Sequence, residues 1–212
     1  LDYVEKIMNI IDKYKLTAYD AGKEEVEGMK GIKIMLDAGH YGKYNRSPAN
    51  GAYYESDFAW KFHKLLKAAL EKRGISVGTT RDAQANDLAL TTRGRKAAGC
   101  NLFISIHSNA VGSGVNNSVD YPVAITMVND DKTTIDEESK AVGERLAQTV
   151  AQVMQTRQQA RTYTKQSSND RDGNGIFDDE YYGVLHGAKS VGVPGIILEH
   201  SFHTNAAATA WL

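Results

Sequence analysis

The 212 residues carry 25 Lys plus Arg against 26 Asp plus Glu, a formal net charge of −1. A chain this long fills one sizeable core, and its balanced charge excludes the basic footprint of a nucleic-acid binder and a polybasic membrane patch. No apolar run reaches the length that crosses a bilayer, and the single Cys100 excludes an intrachain disulfide and a cysteine-rich zinc cluster.

Residues 1–30 place Val4, Ile7, Met8, Ile11 and Tyr14 at helical spacing, and the polar "DAGKEEVEGMKG" that follows reads as a linker. The expectation is an N-terminal helical appendage ahead of a main domain over 31–212. The chain opens on Leu1 without a signal-peptide pattern, which is read as a fragment or a processed form.

From Lys33 onward, short apolar runs alternate with helical stretches. "KIMLDAG" is a strand; "ESDFAWKFHKLLKAALEKRG" is a helix with Phe58, Phe62, Leu65, Leu66, Ala69 and Leu70 on one face and Gly74 as its stop. "ISVGTTR" is a second strand and "LALTTRGRKAAG" a shorter helix. "NLFISIHSN" and "YPVAITMVN" are the third and fourth strands, followed by a long helix over about 136–160 that turns Val142, Leu146, Val150 and Val153 to the core. "GIILEHSF" is the last strand. Such alternation predicts an α/β fold, a three-layer sandwich with a twisted, mostly parallel central sheet flanked by helices.

Ligands of open α/β sheets sit outside the carboxyl ends of the strands. Three of these strands end on groups suited to metal binding or proton transfer: "LDAGH" brings His40, "SIHSN" brings His107 and "LEHSF" brings Glu199. Glu55, in "YYESD", opens the first helix and can lean over the same crevice. Two histidines and a carboxylate around an open position make a catalytic zinc site, and a second, unbound carboxylate would be its general base. Taken singly, a histidine at a strand end is more often a hydrogen-bonded structural residue, and a glutamate at a helix start often only complements the dipole. His63 inside the first helix and His186 in the loop-like "VLHGAK" are read as structural. Three separate strands closing on one edge favour the functional reading.

The runs "IMLDAGHYG", "YYESDFAWKFHKLLKAALEKRG", "NLFISIHSNA" and "PGIILEHSFHTN" resemble, in order, the motifs of zinc-dependent N-acetylmuramoyl-L-alanine amidases of the amidase-3 type, found in autolysins and endolysins. The resemblance spans about Lys33 to the end. It implies that His40, Glu55 and His107 hold one zinc ion and that Glu199 is the catalytic carboxylate. It further implies a peptidoglycan substrate, cut between the lactyl group of muramic acid and L-alanine. The site of action would be the cell wall, with no nucleic-acid partner, no membrane insertion and an accompanying wall-binding module outside this chain. Family members usually continue into a closing C-terminal helix, whereas this chain stops at "AAATAWL", so that helix is expected to be truncated. His200 and His203 receive no zinc role; a contact behind the ligands or with substrate suits one of them. Asn109, Asn205 and "YGKYNRSPANGAYY" are candidates for gripping stem peptide or sugar.

"DRDGNGIFDDE" resembles the start of a calcium loop, with Asp170, Asp172, Asn174, Gly175 and Asp178 at the first, third, fifth, sixth and ninth positions. Tyr181 stands where the pattern requires a bidentate glutamate, so an Asp/Asn/Gly turn is favoured over Ca2+. The rival functions are a zinc peptidase of carboxypeptidase type, whose tight His-x-x-Glu pairing is absent, and a non-catalytic wall-binding module, which would lack one of the four site residues.

Overall fold

The computed structural model describes residues 31–129, 134–171 and 173–212. The expected N-terminal appendage and Asp172 lie outside the described residues. Six strands form one sheet in the order β2-β1-β3-β6-β4-β5, where β1 is Lys33–Ala38, β2 Ser76–Thr79, β3 Leu102–Asn109, β4 Val123–Thr126, β5 Arg161–Tyr163 and β6 Gly195–Phe202. β2, β1, β3 and β6 are mutually parallel; β4 runs antiparallel to β6, and β5 parallel to β4. The sheet is thus mostly parallel, as the alternating pattern predicts.

Two apolar layers cover the sheet because side chains along a strand alternate between faces. Ile34, Leu36, Ile104, Ile106, Ile196 and Leu198 point to one face, where helix α1 (Glu55–Glu71) and the helix of residues Thr134–Met154, here α3, supply Phe58, Ala59 and Ala147. Met35, Phe103, Val123, Ile125 and Ile197 point to the other, against α2 (Leu90–Arg95) and α4 (Gly183–Lys189). The helices α2 and α4 cross backbone to backbone: a Cβ on Gly94 would lie 2.1 Å from the Val184 carbonyl oxygen, and one on Gly187 2.2 Å from that of Thr91. No other residue fits either position without parting the helices.

Several expectations need correction. The long helix ends at Met154 rather than near 160, and the segment beyond it supplies the short edge strand β5. Leu65 is exposed, at 62%, because the buried Phe58, Ala59 and His63 and the partly buried Phe62 and Leu66 define the inward stripe of α1; Val153, on α3, is also exposed, at 37%. His186 lies within α4, not in a loop. The last residues form a short helix α5 (Ala206–Trp211). Asn205 is not placed to grip substrate: it is buried, its side-chain Oδ1 accepts the Ala207 and Ala208 amides as the α5 N-cap, and its Nδ2 donates to the Val119 carbonyl oxygen at 3.0 Å.

His200 shows how the α1 layer responds to acid. Its ring sits 5.3 Å from that of Phe58 and 4.7 Å from that of Phe62, and Nδ1 donates to the His107 carbonyl oxygen at 3.2 Å. Burial pushes its pKa down to about 4, and burial lowers that of His63 on the same helix face. An unfolded histidine titrates near ~6.5, so between about pH 6.5 and 4 the unfolded chain binds a proton that native His200 refuses. The His200 contribution is therefore complete above about pH 6.5 and is lost as pH falls toward 4, by about 3 kcal/mol for a shift of this size. Between pH 6.5 and 4 the chelator-treated protein should lose more thermal stability than its His200→Leu variant, which has no group at this position to protonate. Parallel pH profiles for the two proteins would refute that assignment.

Candidate active site

The carboxyl ends of β1, β3 and β6 form one edge, and α1 begins above it. His40 follows β1 with φ 58°, a left-handed conformation that a side-chain-bearing residue adopts only when its surroundings hold it there. The holding groups are two buried guanidinium ions. Arg93 Nη1 donates to the His40 carbonyl oxygen at 3.2 Å, and both Arg93 and Arg81 donate to the Ala38 carbonyl oxygen. Between strand and histidine, Gly39 is required by space: a Cβ there would lie 2.4 Å from His107 Cε1.

Glu55 is the first residue of α1 and only 2% exposed. Its two carboxylate oxygens lie 3.1 Å from His40 Nε2 and 2.8 Å from His107 Nδ1. One donor atom from each of the three residues falls within 4.8 Å of the others, and this is the one such cluster among the described residues. Asn45 Nδ2 donates to Glu55 Oε2 at 2.6 Å, and the Ser108 amide donates to Glu55 Oε1 at 3.2 Å. Glu199 pairs in register with His107 on the neighbouring strand. The structure therefore brings His40, Glu55 and His107 into contact and sets Glu199 on the same edge.

The charges at this edge are strongly interdependent. Burial opposes ionisation of Glu55, but hydrogen bonds and charge from His107 and His40 outweigh it and hold its carboxyl well below the usual range. Burial likewise opposes protonation of His107, yet the Glu55 hydrogen bond and charge raise its pKa to about 9. Burial raises Glu199 to about 7; His107 pulls it down and Glu55 pushes it up. A buried and a half-buried carboxylate beside imidazoles demand positive charge, which a proton on His107 answers in part and a divalent cation answers fully. Glu199 Oε2 is moreover buried with no hydrogen-bond partner. A carboxylate oxygen left bare inside a protein is costly unless something else approaches it. This donor set and this bare oxygen fit a bound metal ion with a water beside it.

The two histidines after Glu199 have different partners. His200 points into the α1 layer, as described above. His203 lies behind the ligand cluster, with Nδ1 4.0 Å from Glu55 Oε2 and 3.0 Å from Ser108 Oγ, while the Tyr53 hydroxyl donates to Ser108 Oγ at 2.7 Å. Tyr53, Ser108 and Asn45 are site residues that their types and spacing did not single out. Asn45 and Tyr53 fall in the loop flagged as a binding segment, where only the tertiary contacts distinguish bracing residues from exposed ones. Tyr41 and Tyr44 remain exposed there, and the Tyr44 ring stacks on His40 at 4.9 Å. In the acidic loop, Asp170 accepts the Gly173 and Gly175 amides at 2.7 and 2.9 Å, and Asn174 Oδ1 accepts the Ile176 amide at 2.7 Å. These are the hydrogen bonds of a turn.

A mostly parallel α/β sheet with a His/Glu/His donor cluster and a half-buried glutamate, one oxygen of which has no hydrogen-bond partner, at its carboxyl edge has the make-up of a metal-dependent hydrolase. The chain belongs to the amidase-3 family, N-acetylmuramoyl-L-alanine amidase, whose family model matches residues 34–212. Among curated proteins, the endolysin of Bacillus phage SPP1 is 39% identical over 83 residues, covering 38% of this chain and 30% of the endolysin. A Staphylococcus aureus protein named "Probable cell wall amidase LytH" is 32% identical over 98 residues, covering 45% of this chain and 32% of that protein. The matched segment thus spans about a third of these relatives' length. Among solved structures, an N-acetylmuramoyl-L-alanine amidase from Clostridium difficile 630 superposes with a TM-score of 0.65 at 20% identity, covering 85% of each chain. The catalytic domain of CwlV from Bacillus (Paenibacillus) polymyxa superposes with a TM-score of 0.61 at 20% identity over 84% of this chain and 85% of that one. At that identity the two structures speak to the fold, which they share with this chain.

Proposed function

We propose that this chain hydrolyses the amide between the lactyl group of N-acetylmuramic acid and the L-alanine of the peptidoglycan stem, with zinc held by His40, Glu55 and His107. The observation that carries the reading is the convergence of those three donors beside a buried Glu199 oxygen that has no partner. Membership in the amidase family supports the choice of bond. The substrate places the site of action outside the cytoplasm, at the cell wall.

Zinc, when bound, supplies a lowered water pKa and a polarised scissile carbonyl. Everything else falls to the chain. Neutral His40 and His107 with anionic Glu55 leave the ion a net positive charge of about one unit. Glu199 takes a proton from the attacking water and returns it to the departing L-alanine nitrogen, which would otherwise leave as an unstable anion. Asn45, the Ser108 amide and His203 surround the Glu55 carboxylate and limit its freedom to rotate. The exposed Tyr41 and Tyr44 beside His40 offer aromatic faces to an extended, polar substrate.

Digestion of purified peptidoglycan tests the reading. The expected products carry new L-alanine amino termini, and activity is lost on chelation and restored by zinc. New reducing sugar ends, or amino groups freed only within the stem peptide, would assign the chain to a different hydrolase.

A further inference from the structure

A buried acid lies under the proposed metal centre without belonging to it. Asp37, on β1, and Ser105, on β3, are register neighbours, both fully buried on the α2/α4 face of the sheet. A carboxylate so deep in a parallel sheet needs partners. It has them: Thr80 Oγ1 donates to Asp37 Oδ1 at 2.5 Å, Ser105 Oγ donates to Asp37 Oδ2 at 2.7 Å, and Arg93 Nη1 stands 3.7 Å from Oδ1.

The proton count then reaches the metal site. A serine hydroxyl has one proton, and here it goes to Asp37, because an ionised carboxylate can only accept. Ser105 Oγ also lies 3.1 Å from His107 Nε2. With its proton committed, the hydroxyl can only accept there, so His107 must carry a hydrogen on Nε2. The lone pair available for coordination is consequently on Nδ1, the nitrogen that faces Glu55 at 2.8 Å. Were the hydroxyl to donate to Nε2 instead, neutral His107 would carry its hydrogen on Nδ1 and offer no electron pair to the donor cluster.

We propose that Asp37 is a positioning residue of the metal centre, acting through Ser105 to fix the His107 tautomer that leaves Nδ1 free to bind the ion. The inference rests on the reading of His107 as a ligand. Arg93 joins the same acid to the second histidine, since its Nη1 reaches both Asp37 and the His40 carbonyl oxygen. In Asp37→Asn the new amide can donate to Ser105 Oγ and release the hydroxyl proton toward Nε2. In Ser105→Ala the link is cut while Asp37 keeps Thr80 and Arg93, which protects the fold if the first variant is unstable.

The test is zinc affinity, by competition against a chromophoric chelator, with histidine proton positions read from long-range 1H–15N correlation in the zinc-loaded protein. The parent should show its His107 hydrogen on Nε2 and slow to exchange. Each folded variant should bind zinc about 10- to 100-fold more weakly, with that hydrogen rapidly exchanging or lost. Parental zinc affinity in both variants would overturn the proposal, as would a parent whose His107 binds zinc through Nε2. A parent that binds no zinc would instead overturn the metal reading itself.

Discussion

The Glu199→Gln variant should keep its zinc and lose about 10²- to 10⁴-fold in turnover, the contribution of a positioned proton-transfer group. Gln matches Glu in size and preserves the strand, so the change isolates proton acceptance. Three features make the expectation sharp. Glu199 is the register partner of His107, one strand away from the donor cluster. Its Oε2 is buried and has no hydrogen-bond partner, so no structural contact is lost with the charge. Its neighbours on the same edge, His40, Glu55 and His107, already pair with one another. Metal content by elemental analysis and turnover on peptidoglycan together decide the outcome. Undiminished turnover would remove Glu199 from the chemistry, and loss of zinc would move it into the ligand set.

Glu55→Ala should have the opposite signature: zinc is lost on dialysis, and activity falls to background with it. The carboxylate touches both histidines, and its removal leaves two neutral donors without the charge that draws a dication to them. It also deprives Asn45 Nδ2 and the Ser108 amide of their acceptor. A ligand that binds only the native state raises stability by about 2.7 kcal/mol at 100 times its dissociation constant. Added zinc should therefore raise the melting temperature of the parent by several degrees and leave that of Glu55→Ala unmoved. A variant that melts higher with zinc, as the parent does, would show that Glu55 is dispensable for the ion.

The neighbourhood of Asp37 explains why the short runs around the histidines are so constrained. In "LDAGH", Asp37 directs Ser105, Ala38 presents the carbonyl oxygen that Arg81 and Arg93 clasp, Gly39 clears space for His107, and His40 enters the donor cluster. Successive residues point to opposite faces of the strand, so one short stretch can serve core, brace and site in turn.

Much of this is legible in the order of the residues. Strands with apolar residues on both faces announce a parallel sheet, and a histidine or glutamate at the end of such a run is conspicuous because burial there is expensive. His40, His107 and Glu199 were readable on those grounds. β5 was not, because three residues on a sheet edge carry too little pattern to separate from the end of a helix. Nor was α4, whose glycines look like a loop until Gly187 meets Thr91 of the crossing helix. His203 and His200 are alike in sequence, yet one braces Ser108 beside Glu55 and the other packs on Phe58 and Phe62, because β6 changes register against β3 between Glu199 and Phe202.

Periodicity and burial cost are local properties of the chain, and they were enough to mark five of the six strands and the few polar groups placed where polar groups are costly. Only the tertiary structure decided which of those groups meet. Glu55 reaches His107 across 52 residues and Asp37 reaches Ser105 across 68, and such contacts depend on strand order and register rather than on spacing along the chain.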